Sequence, residues 1–198
     1  MFSNYFVPPS EGVMKIKKES ASGTIGSAIS VFDGKDFPDL DHAKIAIFGV
    51  NESRGTLVSG ADVKMNSFRK SFYQLYLGDW DFKMIDLGDF KVGKKLEDTY
   101  FGLTDLVSNL ISVGILPIII GGGHDLCYSI YKAYESFNKG VNIASIDARF
   151  DLISEDINKL NSRNFLGYIV KESPNHLNTY TNIGFQSYFV HKDESHEM

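Results

Sequence analysis

Cysteine is almost absent from this sequence, and so are the marks of exported or membrane-bound proteins. A single cysteine, Cys127, stands among 198 residues; it excludes an internal disulfide and is typical of a reducing compartment. The longest apolar run, ILPIII at 115–120, has the length of a strand and not the roughly 20 residues that cross a bilayer. The N-terminus lacks the basic and apolar regions of a signal peptide. We therefore predict a cytoplasmic protein with no membrane partner.

Excess positive charge is also lacking. The formal net charge is -5, whereas general nucleic-acid binders are basic, so no nucleic-acid partner is predicted. An apolar content of 43% and a charged content of 23% are ordinary for a globular protein. The length suffices for one domain with a sizeable core and at most one extension.

The chain divides into a predicted N-terminal arm, residues 1–43, and an α/β domain, residues 44–198. The arm combines the Pro8–Pro9 step with a Gly- and Ser-rich segment, which predicts little regular structure. In the domain, apolar β-rich runs alternate with segments of helical periodicity. The predicted strands are KIAIFGV (44–50), DFKMIDLGDF (81–90), ILPIII (115–120), VNIASID (141–147) and TNIGFQSYFV (181–190). The predicted helices are 62–78, 95–114, 126–137 and 157–173.

Strands that alternate with helices over short loops predict a three-layer α/β/α fold with a mostly parallel, doubly wound sheet. ILPIII and VNIAS are nearly continuous apolar runs, as expected for strands covered on both faces. In such sheets, functional sites lie at the carboxyl ends of strands. Two polar clusters, GGGHD (121–125) and DARFD (147–151), follow predicted strands directly. We therefore expect the site there.

These two clusters carry the chemistry of a metal site. In an extended chain, side chains two residues apart point the same way, so Asp147, Arg149 and Asp151 are expected on one side of a strand end. The three glycines before His124 would let the backbone turn sharply and place its imidazole nearby. One imidazole and two carboxylates suit a hard or borderline divalent cation such as Mn²⁺. The pattern predicts a metal site formed by His124, Asp147 and Asp151.

Each of these residues also has a plainer interpretation. An Asp-x-Arg-x-Asp run is most simply an ion-paired triplet, and a histidine after a glycine turn is more often a hydrogen-bonded structural residue. Three glycines at a helix start could cradle a phosphate, although the spacing of the dinucleotide and P-loop motifs is absent. Cys127 has no activating partner by spacing and is predicted to be a packed helix residue.

Taken together, the segments resemble the arginase/agmatinase/formimidoylglutamase family, the ureohydrolases. That family has a strand ending in GGDHS, a later strand ending in DAHxD and a third segment, SxDxDxxDP. These segments bind two manganese ions, and a hydroxide that bridges the ions attacks a guanidinium or formimino carbon. GGGHD and DARFD stand in the places of the first two motifs, and the resemblance spans Lys44 to Val190. It implies that His124, Asp147 and Asp151 ligate one manganese, with Asp147 also bridging to the second.

The sequence departs from the family pattern at three places. Arg149 replaces the histidine between the two aspartates, and an always-charged guanidinium cannot ligate a cation. Gly123 replaces the acid of GGDHS, and no SxDxDxxDP segment is present. The resemblance therefore implies one Mn²⁺ at most, or none, with Arg149 in place of the second ion. It also implies a domain incomplete at its C-terminal side, either a fragment or a shortened relative, whose open sheet edge would favour homo-oligomers.

Three segments, VNIASIDARFDL, LNSRNFL and YTNIGFQSYFV, make the resemblance closest to formimidoylglutamases. It implies a hydrolase of a C–N bond in a small amidine or guanidino compound, with Asp147 and Arg149 as catalytic residues and a degraded metal site. Ser162 and Asn164 lie where the family contacts substrate, although a helix-capping role fits them equally well. Two alternatives stay open: a catalytically inactive binding or scaffold protein of the same fold, and a nucleotide-binding α/β domain.

Overall fold

The computed structural model describes residues 2–57, 64–152 and 159–197, with side chains up to residue 194. The chain forms two compact units. The first contains residues 1–52, 62–102 and 106–122, and the second contains residues 53–61, 103–105 and 123–198. Within the described ranges, none of the helices combines the length and the hydrophobicity that a bilayer crossing requires.

Helices and strands alternate along most of the chain, after a short 3₁₀ helix at the N-terminus, Phe2–Tyr5. The α-helices are α1 (Glu11–Lys18), α2 (Ile25–Ala28), α3 (Met65–Phe72), α4 (Leu96–Ser112), α5 (Leu126–Glu135), α6 (Phe165–Val170) and α7 (Lys192–Glu197). The strands are β1 (Phe6–Val7), β2 (Ser30–Val31), β3 (Ala43–Val50), β4 (Lys83–Phe90), β5 (Leu116–Ile120), β6 (Val141–Ile146) and β7 (Leu177–Ile183). The α/β class predicted from the sequence is confirmed.

The first unit is built on a five-stranded sheet. Its order is β1-β4-β3-β5, and β2 also pairs with β4. β3 runs parallel to both β4 and β5, β2 runs parallel to β4, and the short β1 is antiparallel. β3 and β4 are rich in Ile, Val, Phe and Leu and are buried along most of their length, because strands in the middle of a parallel sheet are covered on both faces.

The N-terminal residues belong to this unit, which the sequence did not predict. Val13 of α1 and Ile25 of α2 are 0% and 2% exposed and join a core cluster with Ile47 and Met84 of the sheet. β1 and β2 add two further strands to β4. The expectation of little regular structure in residues 1–43 is therefore wrong, because the apolar residues between the glycines and prolines are used in the core.

A buried ionic cluster fastens α3 to β4. The guanidinium of Arg69 donates hydrogen bonds to both carboxylate oxygens of Asp86, at 2.8 and 3.1 Å, and to Asp89 at 2.6 Å. It also donates to the carbonyl oxygen of Gly88, at 2.8 Å. The Tyr73 hydroxyl donates to Asp86 at 2.9 Å. Arg69 and Asp86 are 0% and 1% exposed, so each charge depends on the other for its stability in the core.

The second unit contains a separate two-stranded parallel sheet, β6-β7. α5 packs against α6 and β6, and the rings of Tyr128 and Tyr168 meet edge to face, 6.1 Å apart. Ser145 is buried, whereas Ile146 is 85% exposed, so β6 has one covered and one open face. The prediction that β5 and β6 are covered on both faces is wrong, since Leu116 of β5 is also 53% exposed.

Several predicted boundaries shift for local reasons. The helix predicted over 62–78 begins within the described residues at Met65 and ends at Phe72, because the carbonyl oxygens of Tyr73 and Leu75 accept hydrogen bonds from the start of α2 instead. The helix predicted over 157–173 is helical only from Phe165 to Val170, and residues 157 and 158 lie outside the described ranges. The last strand starts at Leu177 and ends before Gly184, whose φ is +94°.

Candidate metal centre

Three side chains of the second unit, His124, Asp147 and Asp151, meet at one point. His124 Nδ1 lies 2.7 Å from Asp151 Oδ2 and 3.2 Å from Asp147 Oδ2. One ligand atom of each residue lies within 4.8 Å of the others, so among the described residues this trio has the spacing of a potential metal-binding group. The side chains of His124, Asp147 and Asp151 are 37%, 26% and 6% exposed. The cluster is thus open to solvent at His124 and closed at Asp151.

Glycines before His124 set the path of the chain. Gly121 and Gly122 have φ values of +90° and +79°, a conformation that glycine adopts without steric strain. The chain therefore leaves β5 in a sharp turn, as the sequence predicts, and α5 begins shortly afterwards, at Leu126.

The DARFD segment is a loop and not the end of an extended strand. β6 ends at Ile146, and Asp151 has a φ of +55°, which is uncommon for a residue with a side chain. Because the extended alternation stops before the loop starts, the expectation that Asp147, Arg149 and Asp151 point the same way is wrong. The two aspartates approach His124, and the arginine takes another direction.

Arg149 lies against an aromatic ring. Its guanidinium carbon is 4.7 Å from the ring centre of Phe189, within the range of a cation–π contact. Its backbone N–H donates to Asp147 Oδ1 at 2.8 Å. Across the described part of the chain, no ion pair joins the guanidinium to Asp147 or Asp151 within 4.0 Å. The ion-paired triplet, the plainer interpretation of DARFD, is therefore not what the structure shows.

The surroundings of His124 are acidic. The hydrogen bond to Asp151 raises the pKa of His124 above its usual 6.5; burial opposes this shift, and the charges of Asp151, Asp147 and Asp125 add to it. The imidazole also packs 5.0 Å from the ring of Phe165. Three carboxylates around one imidazole favour a cation and repel a phosphate. A nucleotide-binding role for the glycine turn is therefore not supported.

Asp125 fills the space beside two glycines. It is 0% exposed, and a Cβ atom built on either Gly55 or Gly123 would collide with its carboxylate. The acid that GGDHS carries at the place of Gly123 would therefore have no room here, because the carboxylate two residues later occupies it. The sequence motif alone did not reveal that the carboxylate of Asp125 takes the space that an acid at position 123 would need.

The sequence of the chain shows which family it belongs to. A sequence profile of the arginase family matches residues 43–197. The chain belongs to the arginase family. Among curated relatives, the formimidoylglutamase of Fusobacterium nucleatum is 32% identical over an alignment of 113 residues that covers 52% of this chain and 35% of that protein. A second formimidoylglutamase, from Nocardia farcinica, is 27% identical over an alignment of 115 residues that covers 55% of this chain and 36% of that protein.

Solved structures of the arginase family share the fold. Formiminoglutamase of Trypanosoma cruzi, determined with manganese, superimposes with a TM-score of 0.71 at 20% identity, covering 82% of this chain and 62% of that one. Formimidoylglutamase of Bacillus subtilis gives a TM-score of 0.72 at 15% identity, covering 95% of this chain and 63% of that one. The chain thus spans about three-fifths of these structures and little more than a third of the curated relatives above.

The three side chains fit a single divalent cation by their donor types and spacing. Two ligands about 2.1 Å from one ion and at right angles to each other are about 3 Å apart, close to the 2.7 and 3.2 Å separations from His124 Nδ1. Imidazole nitrogen and carboxylate oxygen suit manganese and similar ions. Asp147 faces His124 with Oδ2, while its Oδ1 accepts the Arg149 N–H.

The residues predicted to contact substrate are placed differently from one another. Asn164 is 3% exposed; its amide accepts a hydrogen bond from Asn161 N–H and donates one to the Lys159 carbonyl, at 2.8 and 2.9 Å. It directly precedes α6, and its contact with a substrate stays a prediction. Ser162 is half-buried, and its N–H donates to the Gly55 carbonyl at 2.9 Å. Cys127 lies partly buried in α5.

The sequence did not predict the residues that surround the DARFD loop. Asn182 donates to the Arg149 carbonyl at 2.8 Å, and Glu194 accepts from the Leu152 N–H at 3.2 Å. Both lie in a segment predicted only as a strand and a tail. No sequence signal marked Glu194, which is 6% exposed although the three residues before it, 191–193, are exposed.

Proposed function

We propose that this chain is a ureohydrolase-type hydrolase that acts on a C–N bond of a small formimino or guanidino compound, most closely like formimidoylglutamase. The observation that carries the proposal is the approach of His124 Nδ1 to the carboxylates of Asp151 and Asp147, at 2.7 and 3.2 Å. Membership of the arginase family and the formimidoylglutamases among its relatives support it.

In this proposal, His124, Asp147 and Asp151 hold one divalent ion, preferably Mn²⁺. When bound, the ion supplies Lewis-acid activation of water and of the amidine group. Asp151 is the most enclosed ligand, at 6% exposure, and fixes the inner side of the site, whereas the half-open His124 faces the solvent. Asp147 uses one oxygen to keep its own loop closed and the other to face His124. The group consists of these three donors, which supports one ion and not two.

Arg149 is proposed to orient the substrate. It lies in the same loop, two residues from each aspartate, with its guanidinium over the half-exposed ring of Phe189. A guanidinium held against an aromatic face keeps donors free for a bidentate contact with a carboxylate. This favours an acidic formimino substrate over the cationic guanidino compounds, because the positive charge of Arg149 repels a positively charged end of the substrate.

The test is a reconstitution assay. The purified chain, stripped with EDTA and reloaded with Mn²⁺, is incubated with N-formimidoyl-L-glutamate, agmatine and arginine, and the release of formamide or urea is measured. We expect formamide from the first substrate, and loss of its release in the Asp151→Asn variant but not in the Asp193→Asn control, whose side chain is 73% exposed. Absence of both bound metal and product would refute the proposal for this chain.

A catalytically inactive binding protein is the second candidate, and Arg149 favours it. The residue stands at the sequence position where the family motif DAHxD carries a neutral metal ligand, and its permanently charged guanidinium cannot ligate a cation. The Arg149→His variant tests whether this residue alone blocks a second ion: if it does, the variant binds two Mn²⁺ per chain. Unchanged metal binding and unchanged inactivity would show that the loss extends beyond Arg149.

A further inference from the structure

The loop that carries the two aspartates, residues 147–152 and here called the ligand loop, is held by a segment that follows β6 in the chain. At its start, the Asp147 N–H donates to the Ile183 carbonyl at 3.2 Å. The next carbonyl, of Ala148, accepts from the Gln186 N–H at 2.9 Å. These backbone contacts continue the β6-β7 pairing beyond the end of both strands.

Side chains take over where the backbone pairing stops. Asn182 Nδ2 donates to the Arg149 carbonyl at 2.8 Å, and Glu194 Oε1 accepts from the Leu152 N–H at 3.2 Å. The Asp151 carbonyl, between them, accepts from the Leu166 N–H at 3.1 Å. Asn182 and Glu194 therefore bracket Asp151 on its two sides.

Glu194 is itself fixed. It is 6% exposed, and its second oxygen, Oε2, accepts from the His191 N–H at 3.1 Å. A nearly buried carboxylate that accepts two backbone N–H groups has little freedom to move, because leaving either donor unpaired in the interior is costly. It can thus act as a rigid support for the end of the ligand loop.

The backbone of Asp151 needs such support. Its φ of +55° is a conformation that L residues rarely adopt and that persists only where the surroundings hold it. If the hydrogen bond from Asn182 or the one to Glu194 is lost, Asp151 can relax to the common negative φ, and its carboxylate turns away from His124. The contact at stake is the shorter one in the cluster, 2.7 Å.

We propose that Asn182 and Glu194 are positioning residues that hold the ligand loop, and through it Asp151, in metal-binding geometry. The inference rests on the proposed function, in which Asp151 is a metal ligand. Groups that orient metal ligands typically change metal affinity by about 10- to 100-fold when they are removed. Neither residue touches the ion; each acts only through the loop backbone.

The experiment measures Mn²⁺ affinity of the full chain by isothermal titration calorimetry. Asn182→Ala and Glu194→Ala are each expected to raise the dissociation constant about 10- to 100-fold. Glu194→Gln keeps an oxygen toward the Leu152 N–H and is expected to lose less than about tenfold. The matched controls are Asn178→Ala, in the same strand as Asn182, and Asp193→Ala, next to Glu194, which are expected to bind like the unaltered chain.

A purely structural role gives a different result. Circular dichroism confirms that each variant is folded at the titration temperature; variants that unfold at lower temperature yet bind Mn²⁺ with unchanged affinity would overturn the positioning role while leaving the proposed function intact. If the unaltered chain binds no Mn²⁺, the proposed function fails and this role fails with it. Hydrogen exchange of the Leu152 amide then shows separately whether Glu194 holds the loop, by faster exchange in Glu194→Ala alone.

Discussion

Replacing Arg69 by methionine tests the cluster that joins α3 to β4. The side chain is 0% exposed and donates four hydrogen bonds, three to the carboxylates of Asp86 and Asp89 and one to the Gly88 carbonyl. Burial alone would lower the pKa of Arg69, but the hydrogen bonds and charges of Asp86 and Asp89 raise it, so the guanidinium is charged at every practical pH. Methionine has a similar length and no charge, and it leaves the Asp86 carboxylate, 1% exposed, without its counter-ion.

The expected cost is large. Removing one partner of a buried ion pair destabilises a protein by about 3–5 kcal/mol, and the Tyr73 hydroxyl and Gly88 N–H that still bond Asp86 offset only part of it. For a chain of this size each kcal/mol lowers Tm by about 2–4 °C, so a fall of about 10 °C is expected. Urea unfolding followed by circular dichroism gives the free energy of unfolding of this variant and of Lys70→Met, a control at an exposed position of the same helix. A difference between the two variants below about 1 kcal/mol would refute the argument, since it lies in the range of ordinary surface substitutions.

Three further predictions concern the second unit. Burial, with the Asp125 charge beside it, raises the pKa of the Cys127 thiol to about 12, so iodoacetamide at pH 8 should label it about a thousandfold more slowly than a cysteine peptide; equal rates would contradict this. The hydrogen bond that protonated His124 donates to Asp151 raises the pKa of His124, so its contribution to stability is full below pH 6.5 and is lost as the pH rises through the raised pKa. In EDTA, the difference in Tm between the unaltered chain and His124→Asn should therefore shrink as the pH rises. The Mn²⁺ affinity of the unaltered chain should grow over the same range, because His124 must lose its proton to bind the ion; the opposite trends would contradict the raised pKa. In β6, the N–H groups of Val141 and Asp147 donate to residues in and next to β7. Because N–H groups alternate in direction along a strand, those of Asn142, Ala144 and Ile146 point to the other edge of β6, where the described residues place no strand. Hydrogen exchange should therefore be faster at these three residues than at Ile143 and Ser145, and uniform protection would contradict the open edge.

The sequence predicted the elements with strong periodicity. The strand predicted over 44–50 is β3, Ala43–Val50, and the helix predicted over 95–114 is α4, Leu96–Ser112, with its leucine stripe buried. Both predictions are correct because tertiary packing buries the same apolar faces that the sequence pattern shows. The meeting of His124 with Asp147 and Asp151 also followed from placing both clusters at strand ends.

The sequence could not predict where a loop leaves the strand geometry. Arg149 was expected beside the aspartates because alternation was extended past Ile146, yet the positive φ of Asp151 and the ring of Phe189 depend on contacts with residues far along the chain. The prediction for residues 1–43 was wrong for a related reason. Short elements such as α2 and β2 are too brief to show periodicity, and they form because the sheet beside them offers partners.

The number of Mn²⁺ ions that the chain binds tests the proposed metal centre most directly. Calorimetric titration of the EDTA-treated protein gives the stoichiometry, and electron paramagnetic resonance of the same sample distinguishes an isolated ion from a coupled pair. We predict one isolated ion per chain, lost in Asp151→Ala and retained in Asp193→Ala. No bound ion in the unaltered chain, or a coupled pair of ions, would contradict it.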